Sequence, residues 1–88
     1  KKDLTIIVPK SLEYKEIKKV INSLNNTNIK QFNLIDIYHD EKLAENESLT
    51  IRFVLQNDEK TMEEEDITTT MNSILDALNN KLSIGLRQ

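Results

Sequence analysis

Five polar side chains with recognition chemistry recur at a spacing of two within two apolar runs of the sequence. The first run carries Asp36 and Tyr38, and the second carries Ser48, Thr50 and Arg52. Because successive side chains of a β-strand point to opposite faces of a sheet, each set is expected on one face. An acid, a phenol ring, two hydroxyls and a guanidinium can hydrogen-bond and stack. The pattern therefore predicts a binding surface.

The apolar residues of the same two runs are expected on the opposite, buried face. Ile35 and Ile37 alternate with the polar pair in the first run, and Leu49, Ile51 and Phe53 do so in the second. This alternation is typical of antiparallel strands with one packed and one open face.

The inventory of reactive side chains argues against catalysis. The chain has one histidine, no cysteine and one glycine, which leaves no His/Cys metal site and no Gly-rich phosphate loop. His39 opens a charged loop and is interpreted as an ordinary exposed residue. The acidic residues 63–66 point in different directions around a helix, so they indicate a stabilised helix N-terminus better than a cation site.

Length and composition indicate one small globular domain over residues 1–88, with 38% apolar and 31% charged residues. No apolar run is long enough to cross a bilayer, and no signal peptide is visible. The chain starts at Lys1, and we expect it to be a piece of a longer protein. The net charge of −3 argues against general duplex binding, but it permits a local RNA contact.

The periodicity of apolar residues predicts two amphipathic helices among four strands. The predicted strands and helices span, in the order β-α-β-β-α-β, residues 4–8, 12–24, 31–39, 47–56, 62–80 and 82–87. Ser11 is expected to cap the first helix, and Thr61 with Glu64 forms a predicted capping box. The expected class is α+β, with a ferredoxin-like four-stranded antiparallel sheet covered by two helices on one face.

The uncovered face of that sheet is the predicted binding surface. Its expected members are Thr5, Ile7, Asp36, Tyr38, Ser48, Thr50, Arg52, Ser83, Gly85 and Arg87. Two roles stay open for Tyr38, which either covers aliphatic surface or stacks on an unpaired base. Arg52 and Arg87 either pair with Asp36 across the sheet or meet phosphate or a base.

Five short motifs, in order and spacing, give the chain a family resemblance. They are Lys2-Asp3-Leu4, Ile35-Asp36-Ile37-Tyr38, the run Ser48-Leu49-Thr50-Ile51-Arg52-Phe53, Thr61-Met62-Glu63-Glu64, and Leu86-Arg87. With these motifs the chain resembles, essentially end to end, the ferredoxin-fold anticodon-binding domain at the C-terminus of the bacterial phenylalanyl-tRNA synthetase β subunit. It departs from the family in having Ile35 in place of Phe, at a position expected to face the core. The loop after the second strand also lacks the family's glycines.

The resemblance implies a non-catalytic domain that contacts the anticodon stem-loop of the phenylalanine tRNA. It implies that Asp36, Tyr38 and Ser48 lie around the first anticodon base. Arg52 and Arg87 match family positions on the same face and are implied to contact the RNA backbone or a base. Thr50, near the middle of the predicted surface, is a further candidate for RNA contact. It also implies a cytoplasmic (αβ)₂ enzyme with no membrane partner, in which the α subunit performs aminoacylation. ATP and magnesium would serve that enzyme, and this domain itself would need no cofactor.

Two other function classes fit a ferredoxin-like sheet. One is a ligand-sensing or oligomerisation module, which would self-associate through a sheet face or edge. The other is a free-standing enzyme of the acylphosphatase type. Residues 8–11 lack the glycine-rich turn that such an enzyme needs after its first strand, which argues against it.

Overall fold

The structure, a computed structural model, describes residues 1–86 as one antiparallel sheet with two helices. The elements in chain order are β1 (Lys2–Pro9), α1 (Tyr14–Ser23), β2 (Ile29–Tyr38), a 3₁₀ turn (Glu41–Leu43), β3 (Asn46–Leu55), α2 (Glu64–Leu82) and β4 (Gly85–Leu86). The strands lie in the order β2-β3-β1-β4. Three long antiparallel strands and two helices confirm the α+β class, whereas β4 is a two-residue pairing with β1.

Both helices pack on the same face of the sheet. Alternate residues of β1 and β3 are buried there, because the pleat points every second side chain toward the helices. The core consists of Leu4, Ile6, Val8, Ile17, Val20, Ile21, Leu49, Ile51, Phe53, Met71, Ile74, Ala77, Leu78 and Ile84. The rings of Phe32 and Phe53 stack with centroids 5.8 Å apart, so β2 joins this core through its first half.

The helix starts differ from the predicted ones. The first helix begins at Tyr14 with Glu13 at its N-cap, and the predicted Ser11 cap is wrong. A turn closed by the bond from the Leu12 N–H to the Pro9 carbonyl, 3.0 Å long, holds this segment outside the helix.

The second helix begins at Glu64, and its predicted cap at Thr61 is also wrong. Glu63 occupies the N-cap, and the Asp66 carboxylate accepts its backbone N–H at 3.0 Å. Lys60 holds the other oxygen of Asp66 at 3.2 Å. The backbone N–H of Glu63 and the Lys60 ammonium lower the pKa of Asp66. The acceptor that fixes this helix start is therefore Asp66.

Of the last predicted strand, residues 82–87, only Gly85–Leu86 forms a strand, and Arg87 lies outside the described residues. Leu82 still belongs to α2, and Ser83 ends the helix in the left-handed conformation, with φ 57° and ψ 36°. Its N–H donates to the Asn79 carbonyl at 3.0 Å, which uses a carbonyl that the helix end would leave unpaired. Ser83 consequently does not lie on a strand, and the predicted binding surface loses that residue.

Candidate nucleic-acid interface

A β-bulge in β2 sets which side chains of that strand face away from the helices. Leu34 pairs with Ile51 and Asp36 pairs with Thr50, so Ile35 is an extra residue with no partner position on β3. Without the extra residue, regular alternation would put Asp36 on the same side as Leu34, against the helices. The bulge reverses the phase, and Asp36 lies on the open side.

The expected burial of Ile35 and Ile37 is wrong. Ile35 is 44% exposed because it is the unpaired residue of the bulge. Ile37 is opposite Leu49 on the helix side, yet it is 57% exposed because β2 is the edge strand. It lines an open groove beside Leu12 and Tyr14. Apolar surface is thus left exposed at this edge.

Strand pairing arranges the face opposite the helices in three rungs across β2, β3 and β1. We call this the open face. Its rungs are Asn33, Arg52 and Asp3; Asp36, Thr50 and Thr5; and Tyr38, Ser48 and Ile7. Five of the six candidate residues, all except Arg87, therefore lie on one face of the sheet, as the spacing of two predicts. Side chains directly opposite each other in neighbouring strands are about 4.5–5.5 Å apart at Cβ.

In the first rung Arg52 forms a bidentate ion pair with Asp3. Its Nε and a terminal nitrogen donate to the two carboxylate oxygens at 2.8 and 3.1 Å. These hydrogen bonds lower the pKa of Asp3 and raise that of Arg52. The alternative in which Arg52 pairs with Asp36 is wrong, because the register places Asp3 directly opposite Arg52 and Asp36 one rung away. Two of the five guanidinium N–H donors are engaged by Asp3.

The second rung is a row of oxygen atoms. The hydroxyl oxygens of Thr5 and Thr50 are 3.0 Å apart and share a hydrogen bond. Asp36 lies on the other side of Thr50 and is exposed to solvent. An exposed carboxylate beside a half-buried hydroxyl can accept N–H donors from the edge of a base.

The third rung combines an exposed ring with a buried hydroxyl. Tyr38 is 43% exposed, and its hydroxyl donates to Asp40 Oδ2 at 3.0 Å. Ser48, which is directly opposite Tyr38, is only 2% exposed, contrary to its predicted exposure. A ligand that reaches the Ser48 hydroxyl must therefore first move a neighbouring group.

One other predicted member of the surface, Gly85, lies at its far edge. Gly85 pairs with Ile7, which places β4 beside the third rung on β1. Arg87 is outside the described residues. His39 is exposed, with its Nε2 atom 2.9 Å from the Ala44 carbonyl oxygen.

Sequence reasoning missed three polar residues that border the candidates. Asp3 is two residues before Thr5, Asn33 pairs with Arg52, and Asp40 follows Tyr38 by two. The same spacing of two that identified the other residues also includes Asp3 and Asp40. Only the bulge hides Asn33, because it makes the spacing from Asn33 to Asp36 three residues where a regular strand would have two.

Other site types lack support in the described part of the chain. Residues 1–86 contain no group of three or more His, Cys, Asp or Glu side chains arranged to hold a metal ion. None of the helices formed by these residues is long and apolar enough to cross a membrane. What the described surface offers is hydrogen bonding and stacking.

Comparison with known proteins identifies the family. The family model described as "Ferredoxin-fold anticodon binding domain" matches residues 1–87. This chain belongs to that family. The match spans both helices and all strands, so it includes every rung of the open face.

Similar proteins are phenylalanine–tRNA ligase β subunits of bacteria. The chain is 48% identical over 86 residues to that of Sulfurimonas denitrificans. It is 41% identical over 86 residues to that of Campylobacter jejuni and 39% identical over 87 residues to that of Wolinella succinogenes. Each match covers 98% of this chain and 11% of the relative. The chain thus spans about a ninth of the length of these relatives.

Proposed function

We propose that this chain is the anticodon-binding domain of a phenylalanine–tRNA ligase β subunit, and that its open face contacts the anticodon stem-loop of the phenylalanine tRNA. The exposed pair formed by Asp36 and Tyr38 carries the proposal. Asp36 accepts hydrogen bonds from the edge of an unpaired base, and the Tyr38 ring stacks on a base. Membership of the anticodon-binding family supports this assignment.

The other candidate residues take secondary roles in this proposal. Thr50 offers its hydroxyl beside Asp36, and Arg52 turns its remaining N–H donors toward phosphate or a base. Ser48 contacts the ligand after a neighbouring group moves, and Arg87 adds a contact to phosphate or a base. Single-stranded RNA is commonly read by an exposed sheet face that carries an aromatic side chain, which supports the use of this surface.

The wider setting is proposed on the same basis. The two-residue β4 completes a ferredoxin-like βαββαβ sheet, and the domain serves a cytoplasmic (αβ)₂ ligase that uses ATP and magnesium elsewhere. The net charge of −3 suits a domain whose RNA affinity is supplemented by the rest of such an enzyme.

Replacement of Tyr38 by alanine in the full ligase tests the proposal. Stacking of one base on an aromatic ring contributes about 1–3 kcal/mol. Y38A is expected to lose that much transition-state stabilisation, which appears as a lower kcat/KM for the tRNA. Steady-state aminoacylation at varied tRNA concentration measures the change.

Ile37→Ala is the matched control, because Ile37 is adjacent and exposed but faces the helix side. It should leave kcat/KM for the tRNA unchanged. An unchanged value for Y38A, or equal losses in both variants, would show that the Tyr38 ring does not bind the anticodon.

The edge strand favours a second candidate, an oligomerisation module. Ile35 and Ile37 expose apolar surface on β2, and an uncovered sheet edge can pair with another chain. Sedimentation of the 88-residue chain separates the two candidates. A tight dimer that buries Tyr38 would favour oligomerisation over RNA binding.

A further inference from the structure

Asp40 links the Tyr38 ring to the loop between β2 and β3. Its Oδ2 accepts the Tyr38 hydroxyl at 3.0 Å. Its Oδ1 accepts the backbone N–H groups of Lys42 and Leu43 at 2.9 and 3.3 Å. One carboxylate therefore caps the 3₁₀ turn and fixes the end of the tyrosine side chain at the same time.

The loop that carries Asp40 is itself fixed to the body of the domain. The Leu43 N–H donates to the Asp40 carbonyl at 3.1 Å, and the Lys10 N–H donates to the Glu45 carbonyl at 2.9 Å. Ala44 has φ 54° and ψ −113°, a conformation that favours glycine and that persists where surrounding contacts impose it. The Asp40 carboxylate is thus an anchored acceptor.

An anchored phenol hydroxyl restricts the ring of an exposed tyrosine. The Tyr38 backbone is held by its pairing with Ser48, and its hydroxyl is held by Asp40. A side chain fixed at both ends loses less conformational freedom when a ligand stacks on it. A binding group is also more precise when neighbouring hydrogen bonds lock its rotamer.

We propose that Asp40 is a positioning residue that holds the Tyr38 ring in the orientation in which a base stacks on it. The inference rests on the proposed function, because it assumes that Tyr38 contacts RNA. Asp40 itself makes no contact with the RNA. Its negative charge repels the phosphate backbone, and both of its oxygens already accept hydrogen bonds from the protein, so we assign its benefit to binding to the tyrosine.

Three substitutions at Asp40 separate positioning from capping and from charge. Asp40→Ser keeps an N-cap oxygen but is too short to reach the Tyr38 hydroxyl. Asp40→Asn removes the charge, keeps the capping oxygen and offers an N–H to the phenol oxygen. Asp40→Ala removes both the cap and the phenol contact. Each is made in the full ligase, alone and together with Tyr38→Phe.

The measurements are the Kd of the ligase for a phenylalanine tRNA transcript, and kcat at saturating tRNA. Asp40→Ser is expected to raise Kd by about 2- to 10-fold, the effect of ordering one side chain, with kcat unchanged. Asp40→Asn is expected to bind with nearly wild-type Kd. In the Tyr38→Phe background, Asp40→Ser should change Kd by less than about 2-fold, since the hydroxyl is already absent.

Three results would overturn the positioning role. Tighter binding by Asp40→Ser would show that the carboxylate only repels the RNA. An equal loss with and without the Tyr38 hydroxyl would show that Asp40 acts through the loop alone. Weaker binding by Tyr38→Ala together with wild-type binding by Asp40→Ser would remove the positioning role and leave the proposed function standing. If Tyr38→Ala itself binds normally, the proposed function fails at Tyr38.

Discussion

The two faces of β3 are made by the same ten-residue strand and are stabilised in different ways. Leu49, Ile51 and Phe53 point to the helices and are 2%, 0% and 0% exposed. On the other face, Thr50 and Arg52 each bond to one residue of β1, at 3.0 and 2.8 Å. One face is held by many apolar contacts, and the other by single polar pairs.

This difference separates stability from recognition. Burial of apolar area dominates the folding free energy, whereas an exposed ion pair or a single hydroxyl pair contributes little net stability. Side chains of the open face can therefore be replaced, or can exchange their partners for a ligand, without loss of the fold. Substitutions on the two faces should have effects of clearly different size.

The largest effect is expected for Ile51→Ala on the helix side. Ile51 is fully buried and pairs with both Leu4 and Leu34, so truncation leaves a cavity in the middle of the core. The free energy of unfolding should fall by about 2–5 kcal/mol, measured by urea denaturation. Ile37→Ala removes the same atoms at an exposed position and should cost less than about 1 kcal/mol. Equal costs would contradict the contrast between covered and exposed positions.

A smaller effect is expected for Thr50→Val on the opposite face. Valine keeps the shape of threonine and removes the hydroxyl that bonds Thr5 at 3.0 Å. The expected loss in the free energy of unfolding is about 0.5–1.5 kcal/mol. In Thr5→Val/Thr50→Val both hydroxyls are absent, and stability should return toward the wild-type value. A loss larger than that of Ile51→Ala would mean that the polar face carries the fold.

The smallest effect at neutral pH is expected for Asp3→Asn, and it should depend on pH. The hydrogen bond from Arg52 lowers the pKa of Asp3 in the folded chain below its ordinary value of 3.8. The carboxylate therefore contributes stability above the unfolded-state pKa, and that contribution is lost as the pH falls through the folded-state pKa. Asp3→Asn should be less stable than the wild type at pH 7, and the difference should shrink below about pH 4.

Urea denaturation at a series of pH values measures this difference. Arg52→Gln should reproduce the behaviour of Asp3→Asn, and the double variant should lose no more than either single variant. Because the pair is exposed, added salt should also reduce the difference. A difference that stays constant from pH 7 into acid would show that the Asp3 charge is not its source.

The strand β2 shows where prediction from sequence succeeded and where it failed. Asp36 and Tyr38 lie on the open face with Thr50, as their spacing predicted. Ile35 and Ile37 are exposed, contrary to prediction, because the alternation changes phase at a bulge and the strand lies at the sheet edge. A sequence pattern with a period of two does not show where a bulge adds one unpaired residue to a strand.

Local sequence and long-range pairing thus determined different properties of this protein. The sequence by itself determined the class, the order of the main elements, the core stripes and the polar residues with recognition chemistry, because these follow from periodicity and side-chain type. Tertiary structure alone decided that Arg52 pairs with Asp3, that Ser48 is buried and that Lys10 bonds the loop after β2. Those outcomes depend on strand register, on the bulge and on the path of a loop, which join residues through contacts that no local pattern encodes.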